Sequence, residues 1–125
     1  MKEARMLYVK AGEALAAARY NLEGGFLTTA VNRAYYAAYY AARAALLAVG
    51  EAPKTHHGLI LRFNLQFVKT GRIGKHVAQT LAYAEELREG ADYETAISFD
   101  PKAVTDLIHD VKAFVEAVEP LLRRT

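Results

Sequence analysis

Residues 32–43 read NRAYYAAYYAAR, and this stretch decides the fold. It lies within an alanine-rich run from Phe26 to Val49 that contains neither glycine nor proline. Alanine has the highest intrinsic helix propensity, so the run predicts one helix of about six to seven turns.

Four tyrosines within six positions of this helix cannot all point in one direction. Helical spacing places Tyr35 and Tyr39 on one face, and Arg33, Tyr36 and Tyr40 on a neighbouring face. A helix with two aromatic faces among alanines must be covered on most of its circumference. We therefore expect it to be the central helix of the fold.

Arg33 is the unusual residue on these two faces, because burying an unpaired charge costs several kcal/mol. Two interpretations are open. In the first, Arg33 extends to solvent or pairs with a carboxylate of another helix. In the second, it lines a polar pocket with Tyr36 and Tyr40, where its guanidinium meets an anion such as a phosphate.

Length and composition bound the class of protein. A chain of 125 residues predicts a single domain over residues 1–125 with one hydrophobic core. It contains no cysteine, which excludes disulfides and thiolate metal sites. The longest apolar run, residues 34–47, is interrupted by Arg43 and is too short to span a bilayer. With charges interspersed through the first helix in place of a signal peptide, we expect a cytoplasmic protein with no membrane contact.

Charge is distributed unevenly along the chain. Residues 24–84 carry seven basic residues and one acidic residue, whereas residues 85–125 carry five basic and ten acidic residues. This asymmetry indicates either a basic surface for a polyanion or two complementary surfaces that pack on each other. The sequence does not separate these alternatives.

The remaining segments also show helical periodicity. A first helix is predicted from Lys2 to Leu22, and its apolar side is formed by Met6, Val9, Ala14 or Leu15, Ala18 and Leu22. Gly24-Gly25 ends it, and Gly50 followed by Pro53 ends the central helix.

Three further helices follow. One is capped by Thr55 and extends to about Val68, the next covers about residues 75–89, and the last is capped by Asp100 and opened by Pro101. Residues 90–100 are predicted to form the longest loop. The apolar stripe of the last helix consists of Val104, Leu107, Ile108, Val111, Phe114, Val115 and Val118. The fold class is therefore all-α: an antiparallel up-and-down bundle of four to five helices.

Three motifs in order, NRAYYAAYYAARAAL, KTHHGLILRFNLQFVKTG and LREGADYE, resemble the HEPN domain (higher eukaryotes and prokaryotes nucleotide-binding). The resemblance covers essentially the whole chain. It is to the small stand-alone prokaryotic branch, often encoded beside a minimal nucleotidyltransferase. It implies a dimerising helical bundle, and many members are metal-independent ribonucleases and toxins.

The catalytic signature of the family is an arginine followed by four to six residues and a histidine. Here the resemblance places the arginine at Arg33 and the histidine position at Tyr40. Histidine transfers protons near pH 7, whereas a phenol, with an ordinary pKa of about 10, is a poor base there. Tyrosine at this position predicts that the protein is a weak or inactive ribonuclease. The sequence assigns no catalytic residue.

A second group of residues extends the hypothetical ligand pocket. Lys54 and His56 lie at the N-terminus of the helix capped by Thr55, where free N–H groups favour anions. The alternative is that His56 caps this helix or packs beneath the central helix. The resemblance implies that Arg88 and the pair Asp92-Tyr93 fold back toward the central helix. Asp92 would then pair with Arg33 or Lys54, either as a structural latch or as a pocket residue. We thus predict that Arg33, Tyr36, Tyr40, Lys54, His56 and Asp92 converge in one partly buried site.

Two functions fit these residues. The first is an RNA- or nucleotide-binding module of a toxin–antitoxin-like pair. The second is a non-catalytic dimeric partner that presents a substrate to a nucleotidyltransferase or docks on it. Either is expected to be a homodimer through the central helix or the helix beside it. No histidine pair has the spacing of a zinc site, and no cofactor or metal is expected.

Overall fold

Five α-helices and one short π-helical segment form the computed structural model, which describes residues 2–93 and 99–123 without the side chains at 91–93. In chain order they are α1 (Lys2–Glu23), α2 (Leu27–Ala48), α3 (His56–Phe63), the π-helical segment (Asn64–Val68), α4 (Lys75–Tyr93) and α5 (Pro101–Leu122). α2 packs against all four other α-helices. The predicted all-α bundle and its central helix are confirmed.

Small side chains explain how one helix can contact all the others. Most alanines of α2 are fully buried, and an alanine surface lets neighbouring backbones approach closely. These residues are Ala30, Ala34, Ala37, Ala38, Ala41, Ala42, Ala44 and Ala45. The larger side chains of α2 are therefore confined to the space that its neighbours leave.

Both predicted glycine stops are confirmed in detail. Gly50 has a φ of +83°, a conformation that glycine adopts without steric cost. Its N–H donates to the Leu47 carbonyl at 3.0 Å, and the Glu51 N–H donates to the Leu46 carbonyl at 2.9 Å. This bonding pair satisfies the last carbonyls of α2, and an equivalent pair ends α1 around Gly25.

The two predicted N-caps are also present. The Thr55 hydroxyl accepts a hydrogen bond from the Gly58 N–H at 2.8 Å and so fixes the start of α3. The Asp100 carboxylate accepts one from the Lys102 N–H at 3.1 Å, and Pro101 is the first residue of α5.

The predicted apolar side of α1 is partly wrong. Ala14, Leu15 and Ala18 are buried as expected, but Met6 and Val9 are 58% and 60% exposed. The buried face of α1 is an alanine stripe that continues through Ala4 and Ala11, because the close approach to α2 selects small residues over large ones. Met6 and Val9 are left on the outer surface.

The rest of the core is formed by α3, the π-helical segment and α5. The Phe63 ring lies 5.1 Å from the Phe67 ring and 5.4 Å from the Phe114 ring, measured between centroids. The third helix reaches Val68 as predicted, but its last turn is π-helical, with the Lys69 N–H bonded to the Asn64 carbonyl. The predicted stripe of α5 is buried throughout, at Val104, Leu107, Ile108, Val111, Phe114, Val115 and Val118.

The predicted end of the fourth helix at Glu89 is wrong. α4 continues through Gly90 to Tyr93. A glycine within a helix costs only about 1 kcal/mol relative to alanine, so it weakens a helix without having to end it. The loop predicted for residues 90–100 is therefore wrong at residues 90–93, and its part at residues 94–98 lies outside the described residues.

In the described ranges 2–93 and 99–123, no helix combines the length and the apolar character needed to cross a membrane.

Dense packing around α2 gives a first prediction. Replacing Ala38, which is fully buried, with leucine inserts a side chain where no space exists, and should lower the free energy of unfolding by about 1–3 kcal/mol. The matched control is Ala16→Leu on the exposed side of α1, which should change it by less than about 0.5 kcal/mol. Urea denaturation measures both, and equal values would contradict the packing account.

Candidate functional site

The side chains of α2 that remain accessible form one stripe. Between residues 31 and 43 every position is buried except Asn32, Arg33, Tyr36, Tyr39, Tyr40 and Arg43, which we call the α2 stripe. Alanines, Val31 and Tyr35 occupy the remaining positions. The stripe therefore combines three tyrosine rings with two arginines and no acidic side chain.

Arg33 is held without a carboxylate partner in the described part of the chain. Its Nε and Nη2 donate to the Asn32 Oδ1 at 3.2 and 2.8 Å. Its guanidinium carbon lies 5.0 Å from the centroid of the Tyr36 ring. An amide oxygen and a π face orient the cation but do not neutralise it, so its charge is available to an anion.

A shallow pocket of about 170 Å³ opens beside Arg33, between α1 and α2. Arg33 and Tyr40 form its α2 side, and Lys10 and Glu13 are among the α1 residues opposite. The Lys10 Nζ lies 5.1 Å from the centroid of the Tyr40 ring. The arginine and the residue at the histidine position of the resemblance thus line the same pocket.

A second polar cluster surrounds His56, the first residue of α3. The Tyr35 hydroxyl lies 2.7 Å from His56 Nδ1, and Glu85 Oε2 of α4 lies 3.5 Å from the same nitrogen. The imidazole packs on Tyr39, with ring centroids 4.7 Å apart. The cluster therefore joins α2, α3 and α4.

The tautomer of His56 sets the direction of its hydrogen bond with Tyr35. If His56 Nδ1 carries the proton, it donates to the Tyr35 oxygen, and if Nδ1 is unprotonated, it accepts from the Tyr35 hydroxyl. The buried Glu85 Oε2 makes no hydrogen bond within the described residues.

The charges in this cluster are paired. Arg88 donates to Glu85 at 3.2 Å, and its guanidinium carbon lies 4.8 Å from the centroid of the Tyr35 ring. Burial, followed by the hydrogen bond and the charge of Glu85, raises the pKa of Tyr35 far above its ordinary value. Burial alone would raise the pKa of Glu85, but its hydrogen bonds, including those from Tyr35 and Arg88, outweigh this and lower it.

The residues predicted to converge are placed as follows. Arg33, Tyr36 and Tyr40 share one face, and Tyr36 lies 5.9 Å from Tyr40 between ring centroids. The His56 ring is 6.5 Å from the Tyr36 ring, so Tyr36 lies between the Arg33 pocket and the His56 cluster.

Two predicted members do not add to this picture. Lys54 is exposed, and the side chain of Asp92 lies outside the described residues. Convergence of all six in one site stays a prediction. Within residues 2–93 and 99–123, the His, Asp and Glu side chains form no group of three that could hold a metal ion.

Sequence reasoning missed Lys10, Tyr35, Tyr39 and Glu85 as members of the site, whereas the expected approach of Arg88 to the central helix agrees with its position near the Tyr35 ring. The spacing of Tyr35 and Tyr39 indicated a shared face, which their stacked rings confirm at 5.8 Å between centroids. No comparable signal existed for Lys10 or Glu85, because they reach the site from other helices.

The His56 cluster gives a prediction about stability. Tyr35→Phe removes the hydroxyl between His56 and Glu85, and should lower the free energy of unfolding at pH 7 by about 1–3 kcal/mol. The pKa of Tyr35 is raised in the folded state. Its protonated hydroxyl therefore contributes fully to stability below about pH 10, the pKa of tyrosine in the unfolded chain, and this contribution is lost as the pH rises above that value. The difference between the two proteins should therefore narrow above about pH 10.

Denaturation at pH 7 and at alkaline pH measures this difference, with Tyr83→Phe at a 45% exposed tyrosine as the control. A difference that widens above about pH 10 would contradict the assignment.

Comparisons with known proteins agree with this fold and these motifs. The model of the HEPN domain matches residues 4–121. A UPF0332 protein of Thermotoga maritima is 36% identical over 113 residues, which cover 90% of this chain and 86% of that protein. A protein of Methanocaldococcus jannaschii named as a candidate toxin is 34% identical over 122 residues, which cover 98% of this chain and 90% of that protein.

A solved structure extends the comparison to the fold. The crystal structure of TT1696 from Thermus thermophilus matches with a TM-score of 0.81, at 18% sequence identity, over 98% of this chain and all of that one. At this identity the likeness shows the shared fold alone. The family match and the two relatives establish the identity: the chain belongs to the HEPN domain family.

Proposed function

We propose that this protein is a toxin-like HEPN module that binds a phosphate group of RNA or of a nucleotide at Arg33 and cleaves RNA weakly or not at all. One observation carries the proposal: Arg33 and Tyr40 line the same pocket. Relatives named as candidate toxins support its toxin-like part. A cytoplasmic location stays a prediction.

Charge around the pocket favours an anionic ligand. Arg33 has no described carboxylate at ion-pair distance, and Lys10 adds a second cation. Glu51, the single acidic residue between residues 24 and 84, is engaged by Arg62 and Gln66 and does not offset them. Glu13 on the α1 side offsets only one of the two cations, so the pocket keeps an excess of positive charge. A guanidinium suits a phosphate through its paired N–H donors.

The residue at the histidine position limits proton transfer. General acid–base catalysis contributes about 10²- to 10⁴-fold in rate, and the phenol of Tyr40 is a poor substitute for an imidazole near pH 7. His56 contacts the Tyr36 ring, but its Nδ1 is engaged with Tyr35. Ligand binding without efficient turnover follows from this arrangement.

A non-catalytic role is the second candidate. Tyr40 is half-buried at the wall of the pocket, where its ring can be presented to another protein. In this role the protein presents a substrate to a nucleotidyltransferase or docks on that enzyme. Binding of a nucleotidyltransferase with no affinity for RNA or nucleotides would favour this candidate.

A homodimer is part of the proposal. Met6 and Val9 are exposed apolar residues on α1, the helix beside the central helix, and burial in a dimer would remove their surface from water. We expect light scattering at micromolar concentration to give the mass of a dimer, and Val9→Lys to shift it toward the monomer. A monomer at that concentration would contradict this expectation.

Binding at Arg33 can be tested with a matched pair of variants. Arg33→Ala should weaken binding of RNA and of a mononucleotide at least about 10-fold, because a charge-assisted hydrogen bond contributes about 1.5–3 kcal/mol. Arg19→Ala, at an exposed arginine of α1, should leave both affinities within about twofold. Equal affinities for the two variants would place the phosphate elsewhere.

The role of Tyr40 calls for a separate experiment. Metal-free cleavage of RNA by the unmodified protein should be slow or undetectable, and Tyr40→His should raise it by up to about 10²- to 10⁴-fold. Adding Arg33→Ala to that variant should remove the gain. Efficient cleavage by the unmodified protein, unaffected by changing Tyr40, would show that the chemistry lies in another part of the molecule.

A further inference from the structure

An open groove, which we call the α3–α4 groove, lies on a part of the surface that the proposed function does not use. One wall is formed by α3 and the π-helical segment and the other by α4, and the groove has a volume of about 350 Å³. The turn at residues 69–74 joins the two walls at one end, so Lys69 and Lys75 both lie at that end. The apolar side chains that line the groove are Ile60, Leu61, Leu65, Val68, Ala78 and Ala82.

The two leucines of this groove are left in contact with water. Leu61 is 53% exposed and Leu65 is 39% exposed, whereas the neighbouring Leu59 and Phe63 are buried. Leu65 belongs to the π-helical segment, and π-helical turns are rare and occur frequently at functional sites. A ligand that covers these leucines removes apolar surface from water, which favours binding.

The polar side chains of the groove are cationic at one end and uncharged elsewhere. Lys69 and Lys75 are exposed, and neither has a carboxylate at ion-pair distance among the described side chains. The other polar members are the amides of Asn64 and Gln79, and no described acidic side chain lines the groove. A ligand with an apolar body and one anionic end therefore matches the groove along its length.

The dimensions of the groove limit the size of such a ligand. From Lys75 to Ala82 the α4 wall rises about 10 Å. An extended hydrocarbon chain of about eight carbons covers this distance, given carbon–carbon bonds of about 1.5 Å in a zigzag. The volume of about 350 Å³ also lies near the lower end of the range for small-molecule sites, about 300–1,000 Å³.

We propose that the α3–α4 groove binds a medium-chain fatty acid, whose carboxylate meets Lys69 and Lys75 and whose chain packs on the two leucines. Two unpaired ammonium groups at one end of an apolar groove attract a carboxylate and fix the direction in which the chain enters. The inference is independent of Arg33 and adds a ligand of another class.

A protein partner fits the groove less well. A stable protein interface covers about 800 Å² on each partner, so it would extend beyond the groove. Next to the leucines on α3 and the π-helical segment, Arg62 and Gln66 are already hydrogen-bonded to Glu51. Covering these polar side chains would add desolvation cost without new apolar burial, which favours a ligand that fits within the groove.

Titration with octanoate, followed by calorimetry and by the methyl signals of Leu61 and Leu65, tests the proposal. We expect saturable binding of one molecule per chain. Hexanoate should bind up to about 15-fold more weakly, because it buries two methylenes fewer. Octylamine, which has the same chain and a cationic end, should bind at least about fivefold more weakly, because like charges replace the ion pairs.

Substitutions at both ends of the groove locate the ligand. Lys69→Gln and Lys75→Gln should each weaken octanoate binding about two- to fivefold, since an exposed ion pair contributes little, and together about 4- to 25-fold. Lys2→Gln, at an exposed lysine of α1, is the matched control and should have no effect. Leu61→Asp should weaken binding at least about tenfold, because it places a repelling charge in the apolar wall. Thermal unfolding of each variant separates loss of binding from loss of fold.

The contradicting outcomes are distinct. Absence of saturable octanoate binding would overturn the proposal, and a lower oligomer mass for Leu61→Asp in light scattering would then make the groove a contact between copies of this chain. Equal affinities for octanoate and octylamine, or octanoate binding unaffected by Leu61→Asp and the lysine variants, would also overturn it. Arg33→Ala should leave octanoate binding unchanged, so this inference and the proposed function fail separately.

Discussion

Close packing of other helices against the alanines of α2 is the constraint on which the rest of the structure depends. Because α2 contacts four helices, most of its buried positions are alanine. Its tyrosine and arginine side chains are consequently gathered in the gaps that remain. Tyr35 fills one gap inside the molecule, and the α2 stripe occupies the gap that opens to solvent. The packing that builds the core therefore also concentrates the polar and aromatic groups that are available for function.

The two polar clusters beside α2 differ in how their charges are compensated. In the inner cluster, His56, Glu85 and Arg88 meet around the Tyr35 hydroxyl, and opposite charges lie together. Such an arrangement makes a buried charge tolerable and holds three helices in register. On the outer face, Arg33 is supported by an amide and a ring alone. A ligand that brings negative charge gains more at the outer face, which is why function is assigned there.

Much of the fold could be predicted because its signals are local. Glycine at positions 25 and 50, the caps Thr55 and Asp100 and the periodicity of α5 each depend on neighbours along the chain. The exposure of Met6 and Val9 could not be predicted in this way, because the choice of the buried face of α1 depends on the alanines of another helix. The site divides in the same way. Spacing within α2 predicted that Arg33, Tyr36 and Tyr40 share a face, but spacing carries no information about Lys10 or Glu85, which other helices bring to it.

The central claim is that Arg33 meets a phosphate of RNA directly, and nuclear magnetic resonance of arginine side chains tests it at that residue. In a titration with a short single-stranded RNA, the account predicts that the Nε–Hε signal of Arg33 shifts progressively and saturates with the binding curve. The signal of Arg19, on the exposed surface of α1, should remain in place. An Arg33 signal that does not move while RNA binding saturates would contradict the account.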